Sequence, residues 1–243
     1  VENPGQKGKN MNSISVYIGA AVLPALVLLI LVYRADKVEK EPTNLILKLI
    51  LMGVLSALLA SLVESFGMSA LDSLLAQDNP YYTVLLAFLV VAAAEEGCKY
   101  LLLKKSSWNN PNFDFMFDGI VYAAAVSLGF AAFENIIYVF GYGLSVAPAR
   151  AIFAVPGHLS FSVFMGYFYG RARLAANCGD FSRSRLNRWA AYLSAVFFHG
   201  FYDTCAMTET DIAATIFLIF VAIMFILVLI LIRRGSKFDQ PIR

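Results

Sequence analysis

"VVAAAEEGCKYLLLK", residues 90–104, sets two adjacent carboxylates, Glu95 and Glu96, and one ammonium, Lys99, inside an apolar run. The flanking residues read as a helix in lipid, where an ionisable group at mid-helix costs about 2.5–3.5 kcal/mol on insertion scales. A chain that places three such groups within five residues has a use for them, and the surrounding sequence must be read with that in view. The 243 residues are 59% hydrophobic and 15% charged, which is more apolar surface than a soluble core of this size hides. The bilayer is therefore the expected solvent.

Apolar stretches of roughly 20 residues, the length that crosses a bilayer, fall at 14–33, 45–63, 81–103, 117–140, 151–171, 189–207 and 212–232. They predict an all-α, polytopic membrane bundle of seven transmembrane helices. An eighth element, interfacial or re-entrant, is compatible with "ESFGMSALDSLLAQDNP" (64–80). The first run is too long for a signal peptide, and no small-residue cleavage site follows it. The polar stretch "VENPGQKGKN" (1–10) reads as an appended or unstructured segment. Residues 11–243 read as one transmembrane domain, with its central spans over 81–207.

Loop charge gives the orientation. Arg34, Lys37 and Lys40 follow the first span, Lys104 and Lys105 the third, and Arg171, Arg173, Arg183, Arg185 and Arg188 the fifth. The 64–80 and 208–211 connections carry no Lys or Arg, and 141–150 carries only Arg150. The alternation places the N-terminus outside and the C-terminus in the cytoplasm. The basic clusters sit between apolar runs, as in membrane loops, and make no nucleic-acid-binding face. Cys98, Cys178 and Cys205 are scattered, with neither a disulfide framework nor a zinc-ribbon spacing.

Seven ionisable groups fall in four consecutive spans: Glu95, Glu96, Lys99, Glu134, His158, His199 and Asp203. Glu95 and Glu96 stand one helical turn before Lys99. Successive residues point about 100° apart, so one acid is expected to be held by Lys99 while the other faces a polar cavity. "GFAAFENIIYVF" groups Phe133, Glu134 and Tyr138 within a turn, and "FFHGFYD" sets His199 and Asp203 at i and i+4, a spacing by which a carboxylate orients an imidazole. His158 follows Pro156 and Gly157, which loosen a helix start.

The bland reading of Glu95, Glu96 and Lys99 is an ion pair that stitches helices together, and of a single histidine an interhelical hydrogen bond. Both histidines of the chain, however, occur with acids inside the bilayer. Three chemistries fit. One is hydrolysis with a glutamate as general base. A second adds a metal, a single zinc ion held by His158, His199 and Glu134 with a water position left open. The third is a proton- or ion-coupled transporter, against which the absence of repeated halves counts. A catalytically silent membrane scaffold is the remaining alternative.

Taken in order, "EEGCK" (95–99), "FDGIVY" (117–122) with "GFAAFENIIY" (129–138), "PGH" (156–158) and "HGFYD" (199–203) resemble the motifs of the PrsW family. These are intramembrane proteases related to the CAAX prenyl endopeptidases and the bacteriocin-processing membrane proteases. "VYRADKVEKEP" (32–42) is similar to that family's N-terminal region. The resemblance implies a four-helix catalytic core and hydrolysis of a peptide bond in a membrane protein. The implied setting is the bacterial plasma membrane. The implied substrate is a single-pass anti-sigma factor, cut at the first step of stress signalling. By the motifs, Glu95, Glu96, Glu134, His158, His199 and Asp203 take the catalytic positions, and Lys99, Asn135, Asp118 and Tyr138 the supporting ones. The superfamily is described both as glutamate-type and as metal-dependent. Counted from the outer span ends at about 1.5 Å per residue, Glu95 and Glu96 come out at about 21 Å depth and the other groups at roughly 6–12 Å. The third helix is therefore expected to start late, tilt, or reach the site from below.

Overall fold

The computed structural model describes the backbone of residues 4–242 and the side chains of residues 14–242. It is an all-α bundle. Its helices are α1 (Pro4–Ala35), α2 (Thr43–Leu74), α3 (82–107), α4 (Asp118–Tyr142), α5 (Leu144–Asn177), α6 (Phe181–Met207) and α7 (Asp211–Lys237). Residues 1–3 of the polar N-terminal segment lie outside the described residues.

Five of these helices, α1 from Ile14 onward, α2, α4, α5 and α7, are long and apolar enough to cross a membrane. The chain is thus a polytopic membrane protein. The sequence reading had drawn seven spans. Its other two, α3 and α6, are continuous helices, but Glu95, Glu96, Lys99, Lys104 and Lys105 in the first and Arg183, Arg185, Arg188 and Asp203 in the second dilute their apolar character. The expected separate element at 64–80 is instead a continuation of α2, which runs unbroken to Leu74 before a turn leads into α3.

That extension explains the depth mismatch. Eleven residues beyond 63 lengthen α2 by about 16 Å, and α3 descends antiparallel to it. The turn joining them stands correspondingly far from the site. Within α3, Leu86–Ala92 is a π-helical segment just before Glu95, a form that recurs at functional sites. A second π-helical segment, Arg150–Ala154, precedes Val155–Asn177 in α5. The chain turns from α4 to α5 at Gly143, whose φ of +86° suits a residue without a Cβ.

Burial places α4 and α5 at the centre. The apolar windows of these two helices are 72% and 61% buried, against 17% for α1 and for α7, whose Leu, Ile and Val side chains face outward as lipid-facing surface does. The α4–α5 contact is backbone to backbone. A Cβ on Gly119 would stand 2.6 Å from the Gly166 carbonyl oxygen and 2.7 Å from Gly170 N. Gly166 and Gly170 are four residues apart on one face, the small-residue pattern by which membrane helices approach closely. Phe161, Val163, Met165 and Tyr169 of α5 fill the spaces beside this seam together with Ile120, Val121 and Tyr122 of α4.

Gly166→Leu should therefore force α4 and α5 apart. Overpacking of a tight core typically costs about 1–3 kcal/mol, and backbone contact puts this case at the upper end or beyond. Thermal unfolding in detergent should show a clearly lowered midpoint, whereas Gly19→Leu, with nothing within 4 Å of its Cβ, should leave it unchanged.

Candidate active site

Four helices bring these buried and half-buried ionisable groups together. Glu95, Glu96 and Lys99 come from α3, Glu134 from α4, His158 from α5, and His199 and Asp203 from α6. Glu96 is fully buried, and Lys99, Glu95, His158 and His199 are at most 5% exposed.

Lys99 is the hub. Its Nζ donates to Glu95 Oε2 at 3.0 Å and to Glu96 Oε1 at 2.7 Å, and stands 3.1 Å from His158 Nδ1. Both acids are thus engaged, where the sequence reading expected one. Residues three and four before a lysine lie on the same side of the helix, and its four-carbon stem reaches between them. An ammonium has three hydrogens and no acceptor. The charged form therefore requires Nδ1 of His158 to accept, leaving the ring hydrogen on Nε2. That nitrogen lies 3.0 Å from Glu134 Oε2, to which it can donate. The Phe130 ring closes the other side, 3.9 Å from Nζ.

A second chain runs through His199. Its Nδ1 is 2.9 Å from Glu96 Oε1 and its Nε2 is 3.3 Å from Asp203 Oδ2. Carboxylates accept only, so the doubly protonated ring satisfies both contacts. Phe161 stacks on this imidazole with ring centroids 4.6 Å apart, and His158 meets it edge-on at 5.5 Å. Glu96 Oε2 is buried without a hydrogen-bond partner.

Arg150 is the member that sequence reading missed. It was counted as a single loop charge, yet its Nη2 donates to Glu134 Oε2 at 2.5 Å and its Nε to Asn135 Oδ1 at 2.5 Å. Its guanidinium lies 3.9 Å from the Tyr138 ring, and Asn135 in turn donates to the Ala21 carbonyl of α1 at 3.1 Å. Asn135 and Tyr138 thus gather around Arg150. The available signal was Glu134 itself, a half-buried acid with no cation on its own helix. Glu64 was also passed over, assigned to a loop. On the extended α2 it is near enough to interact electrostatically with Glu134, Lys99, His199 and Asp203. Asp118 is the reverse case. Expected beside the catalytic groups, it begins α4, about 24 Å of helix from Glu134.

The donor atoms that converge within 4.8 Å of one another here are those of Glu95, Glu96 and His158. His199 and Glu134, expected with His158 as the ligand set, each bond one member of that group from outside it. Two carboxylates and an imidazole are suitable donors for zinc, and the orphaned Glu96 Oε2 is an atom that an ion would satisfy. Lys99 bonds the same three side chains, so a cation already stands among them.

The comparison with known sequences decides the family. Residues 41–231 match the profile of the "PrsW family intramembrane metalloprotease". The chain belongs to the PrsW family. It is 36% identical to Protease PrsW of Geobacillus kaustophilus (strain HTA426) over 186 residues, covering 76% of this chain and 77% of that protein. With Protease PrsW of Bacillus subtilis (strain 168) it shares 33% identity over 189 residues, 76% of this chain and 80% of the relative. With that of Clostridioides difficile (strain 630) it shares 28% over 212 residues, 84% of each. No solved structure matches the chain. The PrsW match spans all four helices that bring the buried groups together, and a membrane-embedded acid–histidine cluster is what a metal- or glutamate-type protease needs.

Removal of Lys99 tests the hub. Breaking a buried ion pair by deleting one partner typically costs about 3–5 kcal/mol, and Lys99→Met would leave two acids facing each other. Its midpoint in detergent should fall steeply, and Glu96→Gln added to it should recover part of the loss. Equal midpoints for wild type and Lys99→Met would show that the ammonium does not hold the site.

Proposed function

We propose that this PrsW-family protein hydrolyses a peptide bond of a single-pass membrane protein of the anti-sigma factor type, at the first cut of a stress-signalling cascade. The observation that carries the reading is the pair of hydrogen-bonded chains meeting at Lys99. One runs from Glu95 through Lys99 and His158 to Glu134, the other from Glu96 through His199 to Asp203. The helices α3, α4, α5 and α6 form the catalytic core. All seven helices cross the bacterial plasma membrane, with the N-terminus outside and the C-terminus in the cytoplasm.

The two glutamates divide the work. Glu96 is held through Oε1 by both Lys99 and His199, whereas Glu95 bonds Lys99 through Oε2 alone. Glu95 is therefore the general base that takes a proton from the attacking water. Lys99 offsets the charge of the acids. His199 is oriented by Asp203 and carries a proton toward the leaving amine, and Glu134, fixed by Arg150, accepts from Nε2 of the His158 tautomer that Lys99 requires. Were a zinc ion to take the place of the Lys99 ammonium, Glu95, Glu96 and His158 would hold it, and it would supply Lewis-acid polarisation of the carbonyl and a more acidic water in place of Glu95 as the base. Lipid excludes bulk water, so these polar groups act in a low dielectric, where their fields are strong.

Two measurements test the reading. With a reconstituted single-pass substrate in proteoliposomes, Glu95→Gln, His158→Ala and His199→Ala should each lower cleavage by about 10²-fold or more, the scale of general acid–base catalysis. Full cleavage by all three would dismiss the assignment, and ion flux without cleavage would indicate a transporter. Elemental analysis of purified protein should find zinc near one equivalent in the wild type and none in His158→Ala. An active, zinc-free wild type would assign water activation to the glutamates alone.

A further inference from the structure

The motifs "VYRADKVEKEP" and "FDGIVY" have no part in the site above, and the structure brings them together elsewhere. Asp36 and Glu41 lie in the connection between α1 and α2, and Asp118 begins α4. All three are at most 4% exposed, and a carboxylate oxygen from each lies within 4.8 Å of the others. Asp114 and Asp239 add acidic charge close by.

The groups around this cluster hold it in shape, and Glu41 shares with Asp118 a hydrogen bond that needs a proton on one of the two. Asp118 Oδ2 accepts from the backbone N–H of Asp114 at 3.1 Å and of Phe115 at 2.8 Å. Tyr122 donates to Glu41 Oε2 at 2.6 Å. Lys40, the nearby ammonium, turns its Nζ to the main-chain carbonyls of Tyr33, at 2.7 Å, and of Asp36. Asp36 is 2% exposed, and its Oδ2 is buried with no hydrogen-bond partner; Asp239 Oδ2 is likewise unpartnered. Burial pushes the Asp36 carboxyl up and that of Glu41 up to about 7, which reflects the cost of crowding these acids.

From this geometry we infer that Asp36, Glu41 and Asp118 bind one hard divalent cation, Mg²⁺ or Ca²⁺, at the end of α4 remote from Glu134. Oxygen-only donors select such ions. Oxygens about 2.3–2.6 Å from a calcium ion lie at most about 5 Å from one another, so donors within 4.8 Å already have the required spread. The ion would pin two segments directly, the 36–41 connection and the start of α4. The 36–41 connection and the start of α4 meet the C-terminal tail, where Met116 N donates to the Gln240 carbonyl at 2.9 Å and Phe117 N to Asp239 Oδ1 at 2.9 Å. Asp36 Oδ2, buried without a hydrogen-bond partner on a carboxylate that lies within 4.8 Å of the other two, is the group that an ion satisfies.

The test uses the full chain in detergent, with Mn²⁺ as an electron paramagnetic resonance probe and Ca²⁺ or EDTA in thermal unfolding. Wild type and His158→Ala should both bind Mn²⁺ at this site and melt higher in Ca²⁺ than in EDTA, which separates the site from any ion at Glu95, Glu96 and His158. Asp36→Asn and Glu41→Gln should weaken binding by at least about tenfold, the loss that even an outer-shell partner's removal brings. They should also lose the Ca²⁺ increment in melting. Binding and melting by Asp36→Asn equal to those of wild type would overturn the inference. Should the variants fail to fold, His158→Ala decides alone: no bound Mn²⁺ and no melting shift at millimolar Ca²⁺ would equally overturn it.

Discussion

The buried acid–histidine cluster depends on one ammonium held between two carboxylates and an imidazole, each at most 5% exposed. Lys99 lets Glu95 and Glu96 sit side by side, because two buried carboxylates without a cation repel each other strongly. Its three hydrogens are all used, and their directions fix His158 Nδ1 as an acceptor. From that single requirement the tautomer of His158 follows, and with it the contact to Glu134. The ionic account still does not close. Among the described residues, Glu95, Glu96, Glu134 and Asp203 face Lys99 and Arg150 as permanent cations. A proton on His199, a proton on one of the acids, or an added cation makes up the difference.

The constraint also shapes the bundle. Helices that carry such groups cannot face lipid along those sides, so α3 turns Glu95, Glu96 and Lys99 inward and α6 turns His199 inward, while Lys105, Arg183 and Arg185 stay exposed. Their aromatic residues then build the walls: Phe130 lies against Lys99, and Phe161 against His199. Among the described residues, peripheral α1 and α7 carry no part of the ionic network, although α1 contributes the Ala21 carbonyl that steadies Asn135. The polar centre and the apolar exterior are therefore one design, with each helix sorted by whether it carries charge.

Much of this was legible in the sequence, for a physical reason. In an apolar chain each buried charge stands out, so Glu95, Glu96, Lys99, Glu134, His158, His199 and Asp203 could be singled out, and the i, i+4 relation of His199 to Asp203 is local geometry. What depended on another helix was hidden. Arg150 sits where a helix begins to unwind into a π-helical segment, and from sequence it resembles any interfacial arginine. Its role appears only when α5 lies beside α4. Glu64 was lost because helix length could not be read from hydropathy alone: "ESFGMSALDSL" is polar enough to look like a connection, yet α2 continues through it. Asp118 was misplaced by its motif, since belonging to the same conserved-type stretch says nothing about which end of a helix a residue occupies.

The two ends of α4 then make mechanical sense together. One end offers Glu134, which receives Arg150 and His158; the other offers Asp118, which closes a cluster with Asp36 and Glu41. Between them the helix is clamped by the Gly119–Gly166 contact and buried along most of its length. A helix so enclosed transmits displacement at one end to the other, because close-packed interiors yield little. An ion that fixes Asp118 would thus also fix the height at which Glu134 meets His158.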